Sequence, residues 1–310
     1  MTTDTLSTTQ TAVATHRPRK TFPAGKVIAW IVLVFAILVI LFPMWWVVRT
    51  SLSTKKEVIA NPSSLLPVGF TTEAYQRVLG LVDTKTAVAQ GGSGQKINFW
   101  LYLRNSLIVA GLVVVGQTFF SALAAYAFAR LHFPFRDQLF LLYLAALMIP
   151  AIVTLIPNFV LIRQLHWEDS FLGIVAPTLL MSPFAVFFLR QFFLGINREL
   201  EEAARLDGAG TFTVFMRIIM PISMPPVITL AILTFVATWN NYLWPFLVGK
   251  SEEVRVLTVA LAVFRSQTPQ GTPDWPGLMA GAVISMIPTL IIFILLGRRI
   301  VNNIQFTGFK

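Results

Sequence analysis

Apolar runs of bilayer-crossing length recur six times along the chain, at about 27–48, 103–129, 138–162, 171–189, 222–248 and 278–296. A hydrocarbon layer about 30 Å thick is crossed by roughly 20 helical residues, so each run predicts one membrane-spanning helix. Pro150, Pro157, Pro177, Pro183, Pro225 and Pro226 lie within these runs. Each lacks a backbone N–H and is predicted to kink a helix or break it near an end. The fifth run also holds Trp239, Asn240 and Asn241, so it need not be one straight helix. The predicted fold class is an all-α integral membrane protein. A disordered cytoplasmic tail over 1–26 precedes a six-span domain over 27–310.

The polar stretches between runs carry their own signals. In 49–102 the cluster Gly91, Gly92, Ser93 and Gly94 predicts flexibility, and 72–79 predicts a short surface helix. The stretch 249–277 predicts a helix over 252–264, re-entering a mouth or lying along the membrane, then a Pro/Gly-rich turn over 269–276. The first run is too long for a signal-peptide core and no small-residue cleavage site follows it, so it reads as a retained span. Six spans put both termini on one side. The basic tail and a slight excess of Lys and Arg assign that side to the cytoplasm, together with the loop 190–221.

Composition agrees with this picture. The mean hydropathy is +0.71, 55% of residues are hydrophobic and only 12% are charged, about half the charge of a soluble domain. The net charge of +10 is spread over tail and loops with no nucleic-acid-reading motif beside it, so it anchors helices rather than binding nucleic acid. Cysteine is absent, which excludes disulfides, thiolate metal sites and cysteine nucleophiles.

The most informative stretch is 197–221, reading NRELEEAARLDGAGTFTVFMRIIMP. A charged helix-forming segment runs from Arg198 to Leu206, with Leu200, Ala203 and Ala204 at helical spacing. Gly208 follows, where a helix stops or two backbones approach closely. A second amphipathic stretch then leads into Pro221 and the fifth span. Such an element can dock in a groove of a soluble partner and transmit its motion. It can equally be an interfacial helix that caps the bundle.

Glu202-Ala203-Ala204, Gly208, Ile218 and Met220-Pro221 resemble, at every spacing, the EAA loop of binding-protein-dependent ABC transporter permeases, with Met220 in place of a leucine. The wording Arg205-Leu206-Asp207-Gly208-Ala209, the run from Trp239 to Pro245 and the ending Gly308–Lys310 point to the carbohydrate-uptake branch, and within it to the maltose permease G subunit. The family often has glutamate where Asn241 stands, and 83–96 looks like an insert. The resemblance implies an importer permease fold in the cell membrane, with the loop 190–221 coupling through Glu202, Ala203, Ala204, Asp207, Gly208, Ile218 and Pro221. The implied partners are a cytoplasmic ATPase dimer, a second homologous permease and an external solute-binding protein delivering a sugar. ATP and Mg would be used by the ATPase; no cofactor is expected in this chain.

Independently of resemblance, no glycine-rich phosphate loop is present, so this chain is not expected to hydrolyse ATP. Trp239, Asn240 and Asn241, with Gln117 and Asn158, are candidate pathway-lining residues. Amides in apolar runs require partners, either on a neighbouring helix or in a pathway. His16, His132 and His166 lie far apart without a ligand pattern. Glu168 and Asp169 read as solvated charge. An ion-gradient transporter would need an ionisable residue within a span, and the runs are nearly free of them.

Overall fold

The computed structural model describes residues 24–92, 97–265 and 271–306, all of whose regular structure is helical. Most of the tail and the ending at Gly308–Lys310 lie outside the described residues. The chain divides between Trp45 and Trp46 into two compact units. The first contributes most of α1 (Ala24–Ser51), a continuous apolar helix with Pro43 inside it. Its start shows that Ala24, Gly25 and Lys26 belong to the helix rather than to the tail.

In the second unit, α2 (Lys55–Ala60), α3 (Glu73–Val78) and α4 (Thr84–Ala89) fill the first long connection. Next comes α5 (Phe99–Arg130), started by the Asn98 side chain, which accepts from the Leu101 N–H. The third run is two helices, α6 (Arg136–Ala145) and α7 (Ala151–Gln164), separated by a 3₁₀ turn and bent by 98°. Pro150 holds Ile149 extended and cannot donate back into the preceding turn. The fourth run is α8 (Phe171–Leu179) and α9 (Pro183–Leu194), bent by 44°. Ser182 caps α9 by accepting from the Ala185 N–H, and Pro183 occupies its first turn.

The loop helix α10 (Glu199–Leu206) follows, then α11 (Thr211–Val214), a π-helical turn at Phe215–Ile219 and α12 (Met220–Ile222). This segment meets α13 (Met224–Trp239) at 80°. Then come α14 (Leu243–Val248), α15 (Leu257–Leu261) and α16 (Trp275–Phe306). By length and composition α1, α5 and α16 are each long and apolar enough to cross a membrane, and the three bent pairs bring the possible spans to six.

At the centre α5 packs against α8, α9 and α13. Its residues Ala122, Ala125 and Ala129 are fully buried at helical spacing, against Ala185, Val186, Leu189 and Phe193 of α9. Small residues let the two backbones approach closely where apolar burial alone gives little net attraction. At Gly116 a Cβ would lie 2.6 Å from the Leu179 carbonyl, so α5 also presses against the end of α8 there.

The fifth run is not one straight helix: α13 ends at Trp239 and α14 follows from Leu243 to Val248. Asn240 Nδ2 donates to the Val236 carbonyl, and the Asn241 carbonyl accepts from the Thr258 hydroxyl. Pro245 has no N–H to offer that carbonyl in a continuing helix. Two other expectations need correction. The stretch 252–264 is helical only from Leu257. Before it, Asn105 Nδ2 donates to the carbonyls of Glu253 and Arg255, replacing helical bonds with bonds to α5. The short helix predicted over 72–79 exists as α3 but is no surface helix. Ala74 and Val78 are buried in a cluster with α5, α13, α15 and α16.

Asp169 is exposed and also accepts the N–H groups of Ser251 and Lys250 at 2.7 and 2.8 Å. The Ser251 and Lys250 hydrogen bonds hold its carboxyl below the usual carboxylate range.

The connection 49–92 is tied down rather than loose. Arg77 of α3 makes a two-pronged pair with Asp274, Nε to Oδ2 at 3.1 Å and Nη2 to Oδ1 at 3.0 Å. Asp274 is fully buried and also accepts from the Gly277 N–H at the start of α16. Lys55 donates to the carbonyls of Gly91 and Thr272. Burial lowers its pKa from the ordinary lysine value, opposed by the Asp274 charge. Asp274→Ala would strand a buried guanidinium at a cost of about 3–5 kcal/mol. The expected outcome is faster backbone hydrogen exchange over 73–92 and 271–278; unchanged exchange would show that the pair holds nothing.

Candidate functional site

Two places gather the residues singled out from sequence. The first is the loop around α10. Glu199, Glu201 and Glu202 lie in its first turn and Arg205 in its last, a charge order that suits the helix dipole. Asn197 Oδ1 accepts from the Glu199 N–H just before the helix. At the other end the Ala209 N–H donates to the Ala204 carbonyl and the Gly208 N–H to the Arg205 carbonyl. This pair of bonds closes a helix on a left-handed residue, and Gly208 has φ +85°. A Cβ at Gly208 would meet no heavy atom within 4 Å. Of the two roles open for it, helix stop and close approach, the geometry within this chain requires only the first.

The faces of α10 differ from the expected stripe. Ala204 points inward, packed against the α5–α9 core, whereas Ala203 points outward. The outward face carries Glu199, Leu200, Glu202, Ala203 and Leu206, with Leu206 89% exposed. Asp207 and Gly208 are exposed beside it. Leu200 and Leu206 thus put two exposed apolar side chains on this otherwise charged face.

Sequence reasoning missed the inward anchor, Glu201 of α10 and Arg130 of α5. Glu201 is buried, with Oε1 2.8 Å from Arg130 Nε at the end of α5. The approach is a charge contact rather than an aligned hydrogen bond. Tyr126 donates to Glu201 Oε2 at 3.4 Å, and Arg130 Nη2 donates to the Ile196 carbonyl. One side chain on α5 thus grips both the entry to the loop and its helix. A small groove of about 150 Å³, lined by Arg130, His132, Arg198, Glu201, Glu202 and Arg205, runs beside this anchor.

The exit is fixed as well. Val214, Phe215 and Ile219 are buried in the same core, with the Phe215 ring 5.2 Å from Tyr126. Ile218 packs partly against that core, and Pro221 is exposed. Pro221 cannot donate to the Arg217 carbonyl, and the turn before it widens so that the Met220 N–H reaches the Phe215 carbonyl.

The second place is a cavity of about 520 Å³ at the helix breaks. Gln117 of α5, Asn158 of α7 and Asn241 after α13 all line it, with Thr234, Thr238 and Trp244. Trp239 and Asn240 do not. Trp239 is buried, stacks on Phe235 and donates to the Ser285 carbonyl, while Asn240 spends its amide on its own helix end. No group of metal-ligating side chains occurs among the described residues.

With both places described, the comparisons with known proteins decide the family. Residues 117–305, more than half of the chain, match the family described as "Binding-protein-dependent transport system inner membrane component". The chain belongs to that family. This permease is 32% identical over 283 residues to the sn-glycerol-3-phosphate transport system permease protein UgpE of Agrobacterium fabrum, covering 91% of this chain and 96% of that protein. It is 34% identical over 274 residues to the arabinooligosaccharides transport system permease protein AraQ of Bacillus subtilis, covering 88% and 92%. A chain in the crystal structure of a bacterial ABC transporter that imports the acidic polysaccharide alginate shares its fold, with a TM-score of 0.74 and 23% identity. That match covers 91% of this chain and 98% of the other.

The permease is therefore a multi-span inner-membrane subunit of an ABC importer that works with an external solute-binding protein, and is not itself an enzyme. The matches place it in the carbohydrate-uptake branch but do not single out the maltose permease G subunit within it.

Proposed function

We propose that this permease forms half of an alternating-access pathway for a carbohydrate, completed by a second homologous permease and driven by a cytoplasmic ATPase dimer through α10. The observation that carries this reading is the split character of α10: Glu201 locks one face to α5, and the opposite face leaves Leu206 and Glu202 exposed. A push on the exposed face passes through the Arg130–Glu201 contact into α5 and through the π-helical turn into α13. Glu202 would set the charge contact with the ATPase, beside Ala203 and Asp207; Gly208 would make the turn; Ile218 and Pro221 would seat the exit. Both termini would lie in the cytoplasm. A sugar is supported by the relative whose name specifies arabinooligosaccharides.

The absence of native cysteine gives a clean test. Leu206→Cys is expected to react with a membrane-impermeant maleimide in inside-out vesicles stripped of the ATPase, and to be shielded when the ATPase is restored. Labelling from the external face would end the coupling assignment. Glu202→Lys is expected to cut ATP-driven uptake about tenfold or more at unchanged membrane level, since it puts a like charge where an opposite one is wanted. Normal uptake by that variant would remove Glu202 from the contact.

A further inference from the structure

We propose that the cavity at the helix breaks is a solute site within this subunit, and that it accepts an uncharged, hydroxyl-rich solute while refusing phosphate and carboxylate groups. The proposal rests on the pathway reading above and narrows it to a chemical class.

Charge comes first. Each of the residues lining the cavity is neutral: amides, threonines, one tryptophan and aliphatic or proline side chains. An anion moved from water into a largely apolar space costs several kcal/mol unless a fixed cation or a full set of donors meets it. Helix ends do not supply the missing charge. The first turns of α7, at Ala151–Leu155, and of α14, at Leu243–Pro245, border the cavity with positive dipole ends. The last turns of α8, at Pro177 and Thr178, and of α13, at Ala237 and Thr238, border it with negative ends. The two kinds offset one another.

Hydrogen-bonding capacity is the second observation, and it is independent of the first. The Asn158 side chain makes no hydrogen bond within the described residues, and neither does the Thr238 hydroxyl. Gln117 spends only Oε1, which accepts from Thr234, and Asn241 spends only Oδ1, which accepts from the Trp244 N–H. Both amide nitrogens remain to donate. Amides and a hydroxyl together offer donors and acceptors in mixed order, which is what a sugar hydroxyl requires because it both gives and receives. Three stretches far apart in sequence, α5, α7 and the end of α13, bring these groups to one cavity. Trp244 adds an indole held in place by donation to the Ile174 carbonyl, beside the apolar Val109 and Val113. Apolar C–H faces of a saccharide ring suit such a surface.

The test uses the whole importer, reconstituted in proteoliposomes with its binding protein, ATPase and second permease. Radiolabelled arabinotriose, maltotriose and sn-glycerol-3-phosphate serve as probes. The expected result is ATP-driven uptake of at least one neutral saccharide and none of the phosphate ester. Asn158→Leu and Gln117→Leu should each lower the solute moved per ATP hydrolysed by about fivefold to tenfold, the effect of one hydrogen bond to solute. Uptake of sn-glycerol-3-phosphate overturns the proposal, as does failure to take up either saccharide while the binding protein stimulates hydrolysis. Uptake per ATP that both leucine variants leave unchanged overturns it too, and assigns the amides to contacts with the second permease. A wild-type complex showing no stimulated hydrolysis would instead mark failure of the importer reading itself.

Discussion

Glu201→Ala is expected to release the loop 196–222 from the bundle and to abolish ATP-driven uptake while the spans still insert. The side chains of Arg130 and Glu201 are 3% and 7% exposed. Removing one member of so buried a pair costs about 3–5 kcal/mol, because the other charge is left without its partner. Arg130 would keep only the Ile196 carbonyl, and Tyr126 would lose its acceptor. Hydrogen exchange over 196–209 should quicken, and exchange in the middle of α5 should not. The double variant Arg130→Met/Glu201→Met should recover much of the protection, since two apolar side chains of similar size strand no charge. It should not recover normal coupling if charge at the anchor is part of the relay. Wild-type exchange and uptake in Glu201→Ala would show that the buried apolar residues alone hold the loop.

This pair also shows where sequence reading stops. In the string of glutamates from 199 to 202, Glu201 looks like its neighbours, and Arg130 looks like a basic residue that orients the chain. The available signal was geometric: Glu201 lies three residues before Ala204, on the face that turns inward. Arg130 ends a run that is otherwise uncharged between Arg104 and itself. Neither fact names the other residue, because the contact spans 71 positions (201 less 130) and only packing brings the two together.

The spans were legible for the opposite reason. Apolar length is a local property, and a missing N–H at Pro150 is local too. The 98° angle at that proline is set by what each half packs against, which no window of residues records. The fifth run illustrates both sides. Its apolar character continues to Val248, yet α13 stops at Trp239 because the Asn241 carbonyl finds the Thr258 hydroxyl. The cavity was half legible. Amides within apolar runs mark places that need partners, and Gln117, Asn158 and Asn241 do line one cavity. Adjacent positions on a helix turn by about 100°, so Trp239 faces away from the cavity that Thr238 lines, while Asn240 spends its amide on the Val236 carbonyl.

Gly208 separates the two roles a glycine can have in this loop. At φ +85° with open space around a Cβ, its service within the chain is to let the backbone turn left-handed. Gly208→Val should then cost about 1–3 kcal/mol of backbone strain, the toll of holding a branched residue in that region. The turn would open, the Ala209 bond to the Ala204 carbonyl would break, and the outward face of α10 would lose its fixed direction. Uptake is expected to fall more than tenfold at unchanged membrane level. Gly208→Asn should be far milder, because asparagine visits the left-handed region readily. Equal loss in the asparagine and valine variants would instead mean that a partner surface presses against Gly208. Strain depends on φ and branching; exclusion by a partner depends on any added bulk. Uptake measured side by side for the two variants, each normalised to its amount in the membrane, tells which of these governs the turn.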